Sequence, residues 1–326
     1  MISIPAGDLD VVTVGETLVD FISVEETDWL RNAYTFRKYQ GGSPANIAVY
    51  VAKLGGQSAV ISKTGIGAMG QFLKAELGRA GVTCDYLVMD HRVHSSVIFV
   101  SRTARTADFE AFRSGDYQLE PHEIKEEAIA RARVIHASTW AQSREPCRSA
   151  VERAYKLAQA HGKIISLDPN YSPQIWPDYR EATSILPQFL RYATITKPSL
   201  DDAVRLFGRD RSPEKYIEQF HGMGPKIVVF TMGSKGVLLS EEGRLTQIAA
   251  RPIKVVDATG AGDSFWAGFL VAVLDGKPLH RCVRFAREIV ERKLTTVGPL
   301  ADNMDRQEIY ARVDAESGHT EENTEQ

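Results

Sequence analysis

The sequence has few cysteines and no excess of positive charge, and both absences exclude classes of protein. Its 326 residues include only three cysteines, Cys84, Cys147 and Cys282, none of them in a CxxC pair. Isolated cysteines in odd number argue against a disulfide framework or a cysteine-based zinc site and predict reduced thiols. The 39 basic and 42 acidic residues give a net charge of -3. That balance argues against a nucleic-acid partner, because binding to phosphate backbones needs clustered Lys and Arg.

Long apolar runs are also missing from the chain. None reaches the ~18–20 residues that a membrane-spanning helix requires. The first residues, MISIPAGDLDVVTVGE, lack a basic segment followed by an apolar one, so they do not have the pattern of a secretory signal. We therefore expect a cytoplasmic protein without a membrane partner.

Short β-branched runs alternate with longer amphipathic stretches over most of the sequence. Predicted strands include residues 11–14, 134–136, 164–168 and 227–231, and predicted helices include 45–54, 148–160 and 261–274. This alternation predicts an α/β fold with a mostly parallel sheet covered by helices on both faces. Ligands bind such sheets beyond the carboxyl ends of the strands.

No linker rich in Gly, Ser or Pro divides the chain, so we expect one domain over residues 1–315. The polar, acidic residues 316–326 are typical of a disordered tail. Segments near 17–40 and 93–113 do not fit the βαβ alternation. Two interpretations of them are open: a small β-flap over the site, or plain surface loops.

A glycine-rich segment between residues 255 and 270 carries the clearest chemistry. An apolar run leads into Gly260, Ala261 and Gly262, which open a predicted apolar helix. Small residues let backbone amides approach a ligand closely, and a helix N-terminus attracts anions such as phosphate. Asp263 lies in this turn and either caps the helix or acts as a catalytic base beside the anion. The GxxxxGK[ST] pattern of a P-loop is absent.

A second glycine-rich segment covers residues 40–56. Gly41 and Gly42 precede Pro44, which suits the first turn of a helix, and Asn46 follows as the one polar residue near the helix start. The segment is either a turn before a tightly packed helix or a site where amides and Asn46 hold the hydroxyls of a small polar ligand.

Together the two segments resemble the two signatures of the ribokinase-like (PfkB-type) carbohydrate kinases. One is GG-x-x-x-N-x-A-x-x-x-x-x-L-G and the other is D-x-x-G-A-G-D-x-F-x-x-G, in the family's order, and the resemblance covers roughly residues 11–299. It implies a three-layer αβα sandwich with a small β-lid. It also implies an ATP-dependent sugar kinase that uses Mg²⁺ with ATP and, in some members, K⁺.

The resemblance further implies a role for individual residues. Asp263 would take the proton of a sugar hydroxyl, and the amides of Gly260, Ala261 and Gly262 would hold the transferring phosphoryl group, whose transfer requires alignment and charge stabilisation. The implied sugar-binding residues are Asp20, Gly41, Gly42, Asn46, Asp168 and Asn170. The implied nucleotide-binding residues are Lys197, Thr231, Gly233, Lys235, Gly236 and Val256, although Lys235 also fits an exposed turn lysine.

Metal sites are less clear, because the sequence departs from the family pattern. Relatives commonly carry N-x-x-E, whose Glu organises the waters of Mg²⁺. This chain has Ser199 and Asp202 there, so the resemblance implies the same indirect role for a shorter carboxylate, with Asp201 as a competing register. Asp257 and Thr259 lie where family members often hold K⁺. A buried aspartate that caps a turn explains these two residues equally well.

The segments around Asp168–Trp176 and Phe109–Asp116 resemble the fructokinase and 2-keto-3-deoxygluconate kinase branch. A keto acid requires a cationic partner such as Arg, and relatives that bind one tend to place Arg where Ser172 stands. We therefore expect fructose as the acceptor and fructose 6-phosphate as the product, with 2-keto-3-deoxygluconate as the alternative. Arg113 either faces the site, where it, Arg102 or Arg105 would supply the charge, or is a solvated surface residue.

Two further expectations follow. A non-catalytic sugar or nucleotide sensor on the same fold is the alternative from another class, and the presence of Asp263 in its glycine loop argues against it. A homodimer formed through the lid is compatible with the family resemblance.

Overall fold

A computed structural model describes residues 2–103, 107–176, 178–298, 300 and 303–322, with side chains described as far as residue 316. Arg105, one candidate for a substrate charge, lies outside the described residues. The strands are β1 Leu9–Val14, β2 Leu18–Glu26, β3 Phe36–Gly41, β4 Ser58–Gly65, β5 Leu87–Asp90, β6 Val97–Arg102, β7 Phe109–Phe112, β8 Ala132–Ser138, β9 Ile164–Asp168, β10 Ile195–Thr196, β11 Ile227–Thr231, β12 Val237–Glu241 and β13 Arg244–Ile248.

Helices connect most of these strands. They are α1 Ser43–Lys53, α2 Ala68–Arg79, α3 Glu126–Arg131, α4 Thr139–Gln142, α5 Cys147–Ala160, α6 Tyr179–Leu190, α7 Leu200–Phe207, α8 Pro213–Gly222, α9 Ala261–Leu274, α10 Leu279–Leu294 and α11 Arg306–Glu322. Among the residues that the structure describes, no helix combines the length and the apolar character needed to cross a bilayer.

Nine strands form the central sheet in the order β13-β12-β11-β10-β9-β8-β1-β4-β5. The pairs from β11 to β5 are parallel, and β12 and β13 add an antiparallel edge. Alternate residues of β1 face opposite sides: Val12 packs into one hydrophobic cluster with α3, α5, α6, α7 and α8, and Val11 packs into another with α1, α9, α10 and α11. Helices therefore cover both faces, and the predicted three-layer α/β fold is confirmed.

The two segments that broke the βαβ alternation form a separate four-stranded sheet in the order β3-β2-β6-β7. We call this sheet the lid. Phe21 and Phe99 stack across it with ring centroids 5.1 Å apart, and Phe36 meets Phe99 edge to face. Of the two interpretations, the β-flap is therefore the one that the structure contains.

The C-terminal segment differs from the sequence-based expectation. Helix α11 continues to Glu322, whereas disorder was expected from residue 316. Ile309, Tyr310 and Val313 are buried against the same cluster as α10, which anchors the helix, and extending a formed helix needs less free energy than starting one. The described helix thus extends into the segment for which a disordered tail is predicted, and residues 323–326 lie outside the described part.

Candidate active site

A cavity of about 440 Å³ lies between the lid and the carboxyl edge of the central sheet. Glu16 follows β1, Asp168 ends β9, and Lys197 follows β10, so three parallel strands of the central sheet deliver polar side chains to one edge. The lid contributes Asp20 together with apolar side chains such as Ile98. We call this space the sugar cavity.

The glycine loop forms the floor of the sugar cavity at the start of α9. Gly260 has a left-handed backbone, with φ at 71°, and stands at the N-cap of α9. A residue with a Cβ would strain this turn, so the position favours glycine. Gly260, Ala261 and Gly262 all line the cavity. The N–H of Ala261 donates to the carbonyl of Ala258 at 3.2 Å. In this state, therefore, the amides of Gly260 and Gly262 are better placed to receive an anion than that of Ala261.

Asp263 is held by two side chains of the other glycine-rich segment. Ser43 Oγ donates to Asp263 Oδ1 at 2.7 Å, and Asn46 Nδ2 donates to Asp263 Oδ2 at 2.9 Å. Burial raises the pKa of Asp263, while the hydrogen bonds from Asn46 and Ser43 and the charge of Lys197 oppose that rise. The carboxylate is thus fixed in orientation and more basic than an exposed aspartate, which suits a proton acceptor.

Ser43 and Glu16 are two site residues that the sequence analysis did not identify. Ser43 lies inside the glycine-rich segment, and its position next to Gly42 is the feature of the sequence that could have identified it as a site residue. Glu16 is 1% exposed and accepts hydrogen bonds from the N–H of Ser43 and from Ser138 Oγ, both at 3.2 Å. The feature of the sequence that could have identified Glu16 is its position directly after a buried strand.

The sugar cavity is rich in carboxylates. Burial, with the nearby charges of Asp116 and Asp263, raises the pKa of Glu16 to about 8. Burial and Asp263 raise the pKa of Asp20 to about 7. Gly41 packs directly against Asp20, and a Cβ there would overlap its carboxylate, so the glycine is needed for close approach.

Asp168 and Lys197 form a buried ion pair on the opposite wall. Their Oδ2 and Nζ atoms are 2.9 Å apart, with side chains 3% and 5% exposed. Burial raises the pKa of Asp168 to about 6 even with Lys197 beside it. Burial lowers the pKa of Lys197, but the charges of Asp168 and Asp202 outweigh that effect and keep the amine protonated. Asn170, two residues further on, is exposed and also lines the cavity.

A second cavity of about 740 Å³ adjoins the first, and we call it the nucleotide cavity. It is bounded by the turn after β11, by residues 248–255 and by α10, and it includes the predicted Thr231, Gly233 and Gly236. Val255 lines it, whereas Val256 and the exposed Lys235 are not among its described lining residues. Ala258, Ala261 and Gly262 line both cavities. The glycine loop therefore lies where a group could pass from one ligand to the other.

Arg113 is not brought to the sugar cavity. Its guanidinium donates to Asp116 Oδ2 and Ser143 Oγ, each at 2.7 Å, and its side chain is only 5% exposed. The ring centroids of Tyr117 and Trp140 lie 5.6 and 5.4 Å from it. Neither sequence-based interpretation of Arg113 matches this placement, because Asp116 holds the residue in a buried ion pair.

Asp202 caps a helix and lines neither cavity. Its Oδ1 accepts the N–H of Tyr171 at 2.7 Å, and its Oδ2 accepts the N–H and Oγ of Ser199 at 2.9 and 2.6 Å. Both oxygens are therefore engaged at the start of α7, and the indirect role of Asp202 at Mg²⁺ through bound waters stays a prediction. Across the described residues there is no cluster of three or more His, Cys, Asp or Glu that could hold a metal. Magnesium that arrives on ATP phosphates needs few protein carboxylates.

Asp257 is buried beneath the glycine loop. Its Oδ1 accepts the N–H of Thr259, and its Oδ2 accepts the N–H of Gly298, both at 2.9 Å. Lys293 Nζ lies 3.4 Å from the same Oδ2. Thr259 lines the sugar cavity, whereas Asp257 acts from below as a cap of the turn.

Comparison with known proteins agrees with this architecture. The sequence model of the pfkB family carbohydrate kinases matches residues 8–302. The chain is 33% identical over 306 residues to an ATP-dependent 6-phosphofructokinase of Thermoanaerobacterium thermosaccharolyticum, covering 94% of each protein. It resembles the structure of Halothermothrix orenii fructokinase at 35% identity and a TM-score of 0.76, covering 90% of this chain and 100% of that one.

A fructokinase double mutant of Vibrio cholerae, in a form with bound fructose, ADP and potassium ion, shows 25% identity and a TM-score of 0.82, covering 94% of this chain and 99% of that one. The resemblance inferred from the two glycine-rich segments is thus confirmed over nearly the whole sequence. The chain belongs to the pfkB family of carbohydrate kinases and is an ATP-dependent sugar kinase.

Proposed function

We propose that the protein transfers the γ-phosphoryl group of Mg-ATP to a hydroxyl of a neutral ketohexose, converting fructose to fructose 6-phosphate. The charge of the sugar cavity carries this proposal. Glu16, Asp20 and Asp263 line it, and Lys197, the one cation among its described lining residues, is already paired with Asp168. Sugar hydroxyls can hydrogen-bond to these carboxyl groups, whereas an anionic sugar would lack a free cationic partner among the described lining residues.

The chemistry follows from the position of Asp263 beside the glycine loop. The attacking sugar oxygen gives its proton to the Asp263 carboxylate, which Ser43 and Asn46 hold in place. The oxygen forms a bond to the γ-phosphorus as the bond to the β-phosphate oxygen breaks, and ADP leaves. The amides of Gly260 and Gly262 and the N-terminus of α9 stabilise the negative charge that spreads over the phosphoryl oxygens.

Bound Mg²⁺ would neutralise charge on the ATP phosphates. Thr231, Gly233 and Gly236 are the residues of this chain that would position those phosphates, because they line the nucleotide cavity. The ammonium of Lys197 stands close to the loop, since a Cβ built on Gly262 would be 3.5 Å from its Nζ. Lys197 is thus suited to the transferring group as well as to the sugar side.

The lid excludes water from the transfer. Leu18, Ile98, Val100 and Phe109 present apolar surface to the sugar cavity from above. Covering the acceptor in this way suppresses ATP hydrolysis by water.

We also propose that two chains pair through their lids, because Trp29, Tyr34 and Phe112 are 58%, 86% and 53% exposed. Light scattering in solution tests that pairing.

Fructose 6-phosphate is the second candidate acceptor, because one relative that covers 94% of this chain is named a 6-phosphofructokinase. Its phosphate would require a free cation near the lid, as would the carboxylate of 2-keto-3-deoxygluconate. Among the described residues, Arg113 is paired with Asp116, and Arg102 donates to the carbonyl of Val24 at 2.7 Å. Because both guanidinium groups already have partners, these contacts favour a neutral sugar as the acceptor.

A coupled assay of ADP release tests the proposal with fructose, fructose 6-phosphate and 2-keto-3-deoxygluconate as acceptors and with ribose and adenosine as controls. We expect kcat/KM for fructose to exceed the others by about 100-fold, or about 2.7 kcal/mol of transition-state discrimination. A preference for either anionic acceptor would overturn the proposal of a neutral sugar. Arg105 would then be the candidate for the cationic partner of that acceptor.

A further inference from the structure

We propose that the ammonium group of Lys293 is a built-in monovalent cation beneath the phosphoryl-binding loop, so that this kinase works without bound potassium. The inference rests on the phosphoryl transfer proposed above, but not on the identity of the sugar. Lys293 is a positioning residue, because it acts on the loop through Asp257 and touches no substrate.

The oxygens around Lys293 come from two separate segments. Its Nζ lies 3.2 Å from the carbonyl oxygen of Asp257, 3.4 Å from Asp257 Oδ2 and 3.5 Å from the carbonyl oxygen of Thr296. The two side chains are 1% and 0% exposed. Carbonyl oxygens are the groups with which proteins replace the hydration shell of K⁺. Here those oxygens already surround a positive charge, so the residues present do not fit a potassium ion at this place.

The charge of Lys293 stabilises the buried carboxylate of Asp257. A buried carboxylate without a partner is strongly destabilising, and Lys293 supplies that partner. Asp257 Oδ1 in turn accepts the N–H of Thr259, which is directly followed by Gly260. The cation therefore stabilises the turn that sets the direction of the loop amides.

The backbone next to Lys293 forms part of the wall of the nucleotide cavity. Lys293 belongs to the last turn of α10, and the next residue, Leu294, lines that cavity. The N–H of Val256 donates to the carbonyl of Leu294 at 2.8 Å, and the N–H of Gly298 donates to Asp257 Oδ2. Lys293 thus joins the segment after α10 to the segment before the glycine loop. Its removal would loosen both the phosphoryl loop and the nucleotide wall.

This arrangement sets the chain apart from the Vibrio cholerae fructokinase, whose structure contains a potassium ion. A protonated lysine and a potassium ion each carry one positive charge and are both attracted to oxygen. The difference is that the lysine is always present, whatever the ionic composition of the solution.

The first test uses the unaltered enzyme with the acceptor that it phosphorylates best. We expect kcat/KM for ATP in tetramethylammonium buffer to change by less than about twofold when potassium chloride replaces the tetramethylammonium salt at equal ionic strength. Activation by potassium of more than about tenfold would overturn the proposal.

The second test replaces the cation with an apolar side chain of similar length, Lys293→Met. Without potassium, we expect kcat/KM for ATP to fall by at least about tenfold and to recover substantially when potassium is added, because the exposed oxygens can then hold the ion. Full activity without potassium, or a loss in the folded variant that potassium does not restore, would contradict the proposal. Arg292→Gln is the matched control, since Arg292 precedes Lys293 on α10 but pairs with Glu308 at the surface.

A third measurement does not depend on turnover. Thallium(I), a heavy analogue of potassium, is soaked into crystals of the unaltered protein and of Lys293→Met. An anomalous peak beside Asp257 in the variant alone supports the proposal, whereas a peak there in the unaltered protein, or none in either, contradicts it. These results remain informative even if the proposed sugar is wrong.

Discussion

Ser43 Oγ donates a hydrogen bond of 2.7 Å to the carboxylate of Asp263, a residue 220 positions later in the chain. The bond joins the start of α1 to the start of α9, so the two glycine-rich segments form one site. Asn46 makes the second contact from the same helix. The orientation of the proposed base therefore depends on the packing of two helices that are far apart in sequence.

Asp263→Asn removes the proton acceptor and keeps the shape of the side chain. We expect kcat to fall by about a thousandfold or more, because general-base catalysis contributes on the order of 10²–10⁴. ATP binding by calorimetry and the melting temperature should change little. A variant that kept its turnover would show that Asp263 only caps α9, and a loss of sugar and ATP binding together would indicate a folding defect instead.

Ser43→Ala removes one hydrogen bond to the charged form of Asp263. Because that bond lowers the pKa of the carboxyl, its loss should raise the pKa further and move the acidic limb of the kcat/KM profile to higher pH. We expect kcat near neutral pH to fall by about tenfold. The pH–rate profile of the fully folded variant is the measurement. An unshifted acidic limb would mean that Ser43 has no influence on the base.

Gly41→Ala tests the close packing against Asp20. The added Cβ would overlap the Asp20 carboxylate, so we expect KM for the sugar to rise by about tenfold or more and KM for ATP to change little. Gly67→Ala is the control, because a Cβ there meets nothing within 4 Å and its backbone φ is −69°. Equal effects of the two substitutions would contradict a specific role for Gly41.

Arg113→Gln should destabilise the protein without changing sugar specificity. Removing the guanidinium leaves Asp116 buried without its charged partner, for which we expect a loss of about 3–5 kcal/mol in the free energy of unfolding. The ratio of kcat/KM for fructose to that for the anionic acceptors should stay within about twofold. Urea unfolding measures the stability, and the acceptor panel measures the sugar specificity. A large change in specificity at unchanged stability would show that Arg113 acts on the bound sugar.

Glu16 should make the unliganded protein less stable as the pH rises. Its pKa is about 8 in the folded protein against a usual value of 4.5, so the folded state binds more protons than the unfolded state between these values. Stability from this group is therefore complete below the lower value and is lost as the pH rises through the upper one. Urea unfolding across this range should show a smaller decline for Glu16→Gln. An identical decline would show that other groups cause it.

Local patterns were sufficient to predict the layers and the two loops. The strand and helix at 164–168 and 261–274 coincide with β9 and α9, because a run of buried apolar residues and a glycine turn carry their signal within a few neighbouring positions. The lid was one of two open interpretations of its segments, and helices α6 and α11 were not predicted. Their residues are polar on one side, and what stabilises them is contact with distant segments.

The sequence alone determined the α/β layers, the glycine loop ahead of α9 and the presence of Asp263 in it, since these depend on the conformational freedom of glycine and on short-range periodicity. Only the tertiary structure decided that Ser43 and Glu16 join the site, that Asp116 holds Arg113 away from it, and that Lys293 lies under Asp257. These are pairings between buried charged or polar groups far apart along the chain. Their partners are selected by desolvation and packing in the folded protein, which no local pattern records.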